Sequence, residues 1–174
     1  MMTSTAPLSC YIRTKNEARM IGDVVKAALQ IAREVVIIDS GSTDDTVAIA
    51  EAAGSRVIRH EWLGNGRQMR LGEDACAHDW LLDLDADEIV TPSLAAEILV
   101  LFETGEPPAP IYSVPLAFAP PFGEPWLKFG ISRREKLYDR RVVRAPDHAA
   151  WDQFEIPPGV AVGRMKSPLL HHAF

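Results

Sequence analysis

Between Leu8 and Phe102, short apolar runs rich in β-branched residues alternate with segments of helical periodicity, and few architectures accept that order. "LSCYI" (8–12) and "EVVIID" (34–39) read as strands, the second apolar enough to be buried on both faces. "EARMIGDVVKAALQIA" (17–32) carries a helical stripe between them. "GSTDDTVAIAEAAG" then offers Ser42 as an N-cap with Asp45 three residues on, a helix, and Gly54 as its stop. "RVIRHE" (56–61) reads as a third strand, residues 66–77 as a helix and "WLLDLD" (80–85) as a fourth strand; Thr91 with Pro92 opens a helix to about Phe102. Strands separated by helices pair in parallel, so the expected fold class is α/β, a mostly parallel sheet flanked by helices.

The segment "TGEPPAP" (104–110) breaks this rhythm, because its prolines suit neither a helix interior nor a central strand. Beyond it, "IYSVPLAF", "EKLYDRRVV" and "RMKSPLLHH" read as short strands of an antiparallel C-terminal extension. A chain of 174 residues suits one compact domain, expected over 1–174, in which the break separates a first part (8–104) from a second (105–174). The net charge of −6 argues against nucleic acid as a partner. Its distribution is uneven: 9 basic and 17 acidic side chains precede residue 105, against 9 and 7 after it. Cys10 and Cys76 match neither a metal pair nor a disulfide framework, and "MMTSTAPLS" lacks the charge and apolar core of a signal peptide. These features lead us to expect a soluble cytoplasmic protein whose contact with a membrane, if any, is peripheral.

The polar groups collect where ligands bind in open α/β sheets, beyond the carboxyl ends of the strands. Asn16 and Glu17 follow the first strand, Asp39 ends the second, and Asp85 with Asp87 end the fourth. Residues i and i+2 of a strand share a face, so Asp85 and Asp87 converge there. Paired carboxylates repel unless a cation lies between them, and hard oxygen ligands with room for phosphate suit Mg²⁺ or Mn²⁺. A solvated strand-to-loop turn is the alternative reading of "DADE". In "DSGSTDDT", Gly41 permits a tight turn, the helix start offers free N–H groups, and Asp39 is placed to accept hydrogen bonds from a ribose or base. An ordinary capped strand–helix turn is the alternative there.

Taken together, "RTKNEARMIGDVVKAA", "EVVIIDSGSTDDTVAIAEAAGSRVI", "EWLGNGRQ", "WLLDLDADEIVTPSLAAEI" and "VGRMKSPLLHH" resemble family 2 glycosyltransferases of the GT-A fold, especially the bacterial lipopolysaccharide-core group. The resemblance implies a nucleotide-diphosphate sugar donor, a glycan or lipid-linked hydroxyl acceptor, a divalent metal (Mg or Mn) at the D-x-D, and inversion at the anomeric carbon. It gives Thr14, Asn16, Glu17 and Asp39 a nucleotide-facing role, with Gly41 and Ser42 in the same turn, and makes Asp85 and Asp87 the metal and diphosphate acids. Asp83 departs from it by adding a third acid on that face, expected to be hydrogen-bonded or near the nucleotide. After "GNG" the chain has Gln68-Met69-Arg70 without the relatives' lysine, which leaves a cationic diphosphate contact to Arg70 or Arg67.

Inverting transfer needs a base for the acceptor hydroxyl. "AAWDQFEIPPG" supplies Asp152 and Glu155, of which the resemblance favours Glu155. "KFGISRREKLYDRRVVR" (128–144) holds seven cations against two acids, suiting an anionic acceptor or lipid headgroups, or else a strand pair laced with salt bridges. His171 is a metal-ligand candidate in a segment where such enzymes place a histidine, although a terminal His-His is also an ordinary exposed pair. The four tryptophans suit the core, with Trp126 and Trp151 as alternative sugar platforms. Two other functions stay open: a nucleotide-sugar-binding domain without turnover, and a phosphatase in which "LLDLDAD" loosely resembles the haloacid-dehalogenase motif.

Overall fold

The parallel half follows the order of strands and helices in the sequence. In the computed structural model, which describes residues 4–173, β1 (Ala6–Thr14), β2 (Ala32–Asp39), β3 (Arg56–Arg59) and β4 (Trp80–Asp85) pair in parallel in the order β3-β2-β1-β4. The crossovers are α1 (Ile21–Ala28), α2 (Thr46–Ala52) and α3 (Asn65–Ala75). Then come β5 (Glu88–Val90), α4 (Pro92–Leu101), β6 (Ile111–Phe118), β7 (Ser132–Asp139), β8 (Val162–Arg164) and β9 (Leu169–His171). The sheet continues from β4 through β7, β6 and β9 to β5, with β8 also paired to β6, for nine strands in all.

Element ends differ from expectation for local reasons. α1 starts at Ile21 because Asn16 lies in the left-handed region (φ 55) and the Met20 and Ile21 amides turn back to the Glu17 carbonyl. Ser42 is not the N-cap of α2; Asp45 holds that position, and the Ser42 hydroxyl donates to Asp39 instead. Thr91 does cap α4, its hydroxyl accepting from the Leu94 amide at 3.1 Å with Pro92 at the first helical position. The extension is mixed rather than simply antiparallel: β7 runs against β4 and β6, but β8 and β9 both run parallel to β6. β5, which the sequence did not announce, forms by pairing with β9.

The sheet carries a different layer on each face. One face packs Leu8, Cys10, Ile12, Ile37, Leu82 and Leu84 against α1 and α4. The other packs Tyr11, Val36, Ile38, Leu81 and Tyr138 against α3. Side chains alternate along a strand, so this second face continues toward the strand tips as Arg13 after Tyr11, as Asp83 and Asp85 after Leu81, and as Lys136 and Arg134 before Tyr138. The apolar layer thus gives way to charge on the face covered by α3.

A buried hub fastens the next segment to α3. The Tyr11 and Tyr138 hydroxyls lie 2.9 Å apart, and Tyr138 donates to Glu73 Oε2 at 2.7 Å. The same carboxylate accepts from the Ala145 amide (2.6 Å) and from the Arg144 guanidinium. From there the chain climbs along α3 so closely that the glycines of "GNG" are required. A Cβ on Gly66 would stand 2.3 Å from the Trp151 carbonyl oxygen, and one on Gly64 (φ 104) would stand 2.0 Å from that of Ala149. Gly66→Ala is therefore expected to destabilise the chain by about 1–3 kcal/mol, the usual cost of overpacking. Urea unfolding measures it, and an unchanged midpoint would contradict the close approach.

Candidate active site

Parallel register brings the tips of β1, β2 and β4 to one edge: Thr14 lies beside Asp39, and Arg13 beside Asp85. At that edge opposite charges alternate. Arg13 Nη2 is 2.6 Å from Asp85 Oδ1 and 3.9 Å from Asp83 Oδ1. Lys136 Nζ stands 3.7 Å from Asp83 Oδ2 and 2.7 Å from Glu88 Oε2, and Glu88 Oε2 also accepts from the Asp85 amide at 2.9 Å. The order Asp85–Arg13–Asp83–Lys136–Glu88 lets buried acids persist, because each has a cation beside it. Burial pushes the Asp83 and Glu88 carboxyls above their ordinary range despite Lys136. For Asp85 burial acts upward too, but Lys136 and Arg13 outweigh it and hold the acid below that range. Asp85 is the member left accessible, its side chain 45% exposed against 4% for Asp83. Asp83 is thus ion-paired from within, and its Oδ1 accepts no hydrogen bond.

The turn after β2 is organised by Asp39. Its carboxylate accepts from the Gly41 and Ser42 amides (3.1 and 3.0 Å) and from the Ser42 hydroxyl, while Gly41 adopts φ 98. Asn16 joins the turn: its amide donates to Ser42 Oγ (2.8 Å) and its Oδ1 accepts from the Thr43 amide (2.8 Å). Glu17 is held through its amide by Thr46 Oγ1 at 2.8 Å, and burial followed by nearby Asp87 raises its carboxyl. Thr14 Oγ1 is buried without a partner. The structure brings these residues together but turns Asp39 inward, so its carboxylate shapes the turn.

Asp87 lies in the turn past β4, with His171 Nε2 at 3.2 Å from its Oδ2 and its carbonyl accepting from the His172 amide. Asp85 faces Arg13 and Asp87 faces His171, so the two acids engage separate partners. Among the described residues no three His, Cys, Asp or Glu side chains converge as a metal cage. The donor set nevertheless fits Mg²⁺ or Mn²⁺, which a protein commonly holds by one or two carboxylates, with substrate phosphates and water completing the shell. The unpartnered Asp83 Oδ1, Arg13 Nε and Thr14 Oγ1 are unused polar capacity at the same strand tips.

Other expected residues lie elsewhere. Gln68 is buried, its Oε1 accepting from the Leu63 amide. Arg70 is drawn to the Ala145 carbonyl by two of its nitrogens and so lies away from the acids. At the start of α3 the Asn65 and Arg67 amides donate to the carbonyls of Ala149 and His148. Asp152 reaches the charged edge through Arg134 at 3.1 Å, whereas Glu155 is exposed on an outer cleft with Trp151. Six of the seven cations of the basic segment are engaged, and Lys128 is exposed. Arg134 pairs with Asp152, Arg140 with Asp79, Arg141 with Asp139 and Glu106, and Arg144 with Glu73 and Asp74. Arg133 donates to the carbonyls of Ser113 and Met165, and Lys136 is buried. Of the tryptophans only Trp80 is buried; Trp62, Trp126 and Trp151 are about half exposed.

A family model described as glycosyl transferase family 2 matches residues 9–156, which include Arg13, Asp39, Asp85, Asp87, Lys136 and Asp152. The chain belongs to glycosyl transferase family 2. An uncharacterised glycosyltransferase of Rickettsia felis is 45% identical over 95 residues, 55% of this chain and 34% of that relative. The lipopolysaccharide core biosynthesis glycosyltransferase LpsC of Rhizobium meliloti is 34% identical over 98 residues, 53% of this chain and 36% of its own length. These matches span about a third of the relatives' length. The fold is that of GT-A glycosyltransferases: mannosyl-3-phosphoglycerate synthase from Rubrobacter xylanophilus superposes with a TM-score of 0.53 at 21% identity, over 67% of this chain and 41% of that one.

Within this family 2 chain, sequence reasoning missed Arg13, Glu88, Arg134 and Lys136. Their signal was present, since Arg134, Lys136 and Tyr138 alternate as one strand face must. Only the pairing of β7 beside β4 says that this face meets the D-x-D, because Leu82 pairs with Leu137 and the ladder then carries Lys136 up to Asp83. Among the described residues no helix is long and apolar enough to cross a membrane.

Proposed function

We propose that this chain is the catalytic core of an inverting glycosyltransferase that moves a sugar from a nucleoside-diphosphate sugar to a hydroxyl of a bacterial surface glycan. The observation that carries this reading is one edge holding the Asp39–Asn16 turn beside an accessible, cation-flanked Asp85. Residues 8–104 take the donor side: Thr14, Asn16 and Glu17 face the nucleotide across the turn that Asp39, Gly41 and Ser42 shape. Asp85 and Asp87, with His171 against Asp87, would hold Mg²⁺ or Mn²⁺. A bound metal of that kind supplies positive charge to the departing diphosphate. Arg13 orients Asp85 and adds a fixed positive charge at the same place, where charge develops in transfer.

Residues 105–174 take the acceptor side. The proposed base is Asp152, which sits with Arg134 at the charged edge and receives the acceptor hydroxyl's proton on its carboxylate. Glu155, favoured by the family resemblance, faces the outer cleft. Asp152→Asn is expected to lower turnover about 10²-fold or more with donor binding kept, and Glu155→Gln to spare turnover at saturating acceptor. The reverse outcome moves the base to Glu155. The lipopolysaccharide-core role of LpsC supports a glycan acceptor. The pairing of the basic segment leaves it little part in gripping lipid headgroups.

The deciding experiment is a thermal-shift series with UDP, GDP and other nucleoside diphosphates, with and without Mn²⁺. A ligand that binds only the native state at about 100 times its Kd adds about 2.7 kcal/mol, several degrees in Tm for a chain this size. A rise that needs both diphosphate and metal supports the reading. No shift with any pair removes it.

A further inference from the structure

The outer cleft that holds Glu155 is absorbed by neither the donor nor the metal. It is open and about 600 Å³ in volume, walled by α3 at Arg70 and by the segments around Arg144–His148 and Trp151–Pro157. Its shape is fixed from behind. Backbone carbonyls of His148, Ala149 and Trp151 press on the two glycines of α3, and the Asn65 and Arg67 amides hold the first two. Trp151 is thereby set on a rigid wall with 51% of its surface exposed, a cost no solvent-facing loop requires of an indole.

The polar groups decide what the cleft accepts. Its cations are engaged: Arg70 donates twice to the Ala145 carbonyl, and Arg144 is held by Glu73 and Asp74. Arg67 pairs with Asp147 at 3.5 Å. A phosphate or carboxylate would find no guanidinium free to grip it in the bidentate way. His148 accepts the Ala150 and Trp151 amides on Nδ1 (3.1 and 2.9 Å), so its neutral ring carries the proton on Nε2 as a donor. Glu155 has no hydrogen-bond or ionic partner among the described residues. An indole face, an unpaired carboxylate and an imidazole N–H suit a ring with one apolar C–H face and a rim of hydroxyls.

We propose that this cleft binds a neutral pyranose of the acceptor glycan, one sugar removed from the hydroxyl that reacts. Trp151 stacks on the sugar's C–H face, Glu155 accepts from vicinal hydroxyls and His148 donates to a third. The inference rests on the proposed transfer reading, which supplies the acceptor: Trp151 in the cleft and Asp152 beside Arg134 are consecutive residues, and in this proposal they serve adjoining rings of one acceptor. It makes the acceptor a glycan of at least two sugars and gives Trp151 a positioning role.

The test uses the full chain labelled with ¹⁵N and follows the indole N–H signals, assigning Trp151 by its loss in Trp151→Ala. Methyl glucoside, methyl galactoside, methyl mannoside and lactose are titrated into the tens-of-millimolar range, with sodium phosphate as a control. The Trp151 signal is expected to move with at least one sugar and not with phosphate. Affinity, read in the variants from the backbone amide signals of His148 and Glu155, should fall about tenfold in Trp151→Ala and be largely kept in Trp151→Phe, which retains a flat ring. No movement with any of the sugars, or a larger movement with phosphate, overturns the proposal. The thermal shift with UDP, GDP and the other nucleoside diphosphates in the presence of Mn²⁺ is measured on the same variants. If it persists while sugars fail to bind, the cleft assignment alone is wrong. If it is absent while sugars bind through Trp151, the transfer reading fails and a sugar site remains.

Discussion

Lys136→Met is expected to lower the stability of the fold by about 3–5 kcal/mol, the range for removing one partner of a buried ion pair. Lys136 is 3% exposed and lies between Glu88 and Asp83, which are 2% and 3% exposed. Methionine keeps a flexible apolar stem of similar reach, so the loss falls on the charge rather than on packing. The pH dependence follows from the direction of the shifts. Burial already raises the Asp83 and Glu88 carboxyls, with Lys136 opposing it. Without the ammonium, the native state binds those protons more tightly still than the unfolded chain, where such acids titrate near 4. A native state that holds more protons than the unfolded one gains stability as pH falls. The deficit of the variant is therefore largest near neutral pH, and it shrinks as pH falls toward the ordinary carboxylate range and again as pH rises past the ordinary lysine range, because the acids beside Lys136 raise its ammonium in the native state. Urea unfolding of both proteins across pH measures this, and a deficit that grew on acidification would contradict the buried pairing.

Asp85→Asn has the opposite profile, with large loss of activity and little loss of stability. The Asp85 side chain is 45% exposed and its partner Arg13, itself 11% exposed, keeps Asp83 at 3.9 Å, so the fold should lose about 1–2 kcal/mol, less than for a pair buried on both sides. Transfer should fall about 10²–10³-fold, the scale for removing one preorganised electrostatic contact to a developing charge. The amide also cannot serve as an anionic ligand, so the thermal shift by nucleoside diphosphate should lose its dependence on Mn²⁺. Release of nucleoside diphosphate from a donor sugar gives the rate, and urea unfolding gives the stability. A variant within a few-fold of the parent rate would remove Asp85 from the centre of the chemistry.

The contrast between the two residues marks what the D-x-D neighbourhood is made of. Arg13, Asp83, Lys136 and Glu88 form a folded electrostatic frame, and Asp85 is its open end. A chain that neutralises its own acid cluster can hold Asp85 in place before any cation arrives. In the proposed transfer, preorganisation of that kind would limit the reorganisation needed as the diphosphate leaves.

Local patterns settled much of this protein. "WLLDLD" and "IYSVPLAF" coincide with β4 and β6 residue for residue, and Thr91-Pro92 opens α4, because strand alternation and capping chemistry act over neighbouring residues. The same local signals placed Asn16, Asp39 and Asp85 at strand ends, and parallel pairing then gathers them at one edge. What the sequence could not decide depends on contacts between residues far apart in the chain. β5 exists only because β9 pairs with it, and Arg134, Arg140, Arg141 and Arg144 pair with acids supplied from four other segments. Lys136 meets Asp83 across 53 positions for the same reason, through the ladder of β7 on β4. Tertiary structure alone parted Asp152 from Glu155, three residues apart in the sequence, by turning one toward the charged edge and the other toward a cleft. A side chain's direction there is fixed by what the backbone is pressed against, and at Trp151 that is Gly66 at the start of α3.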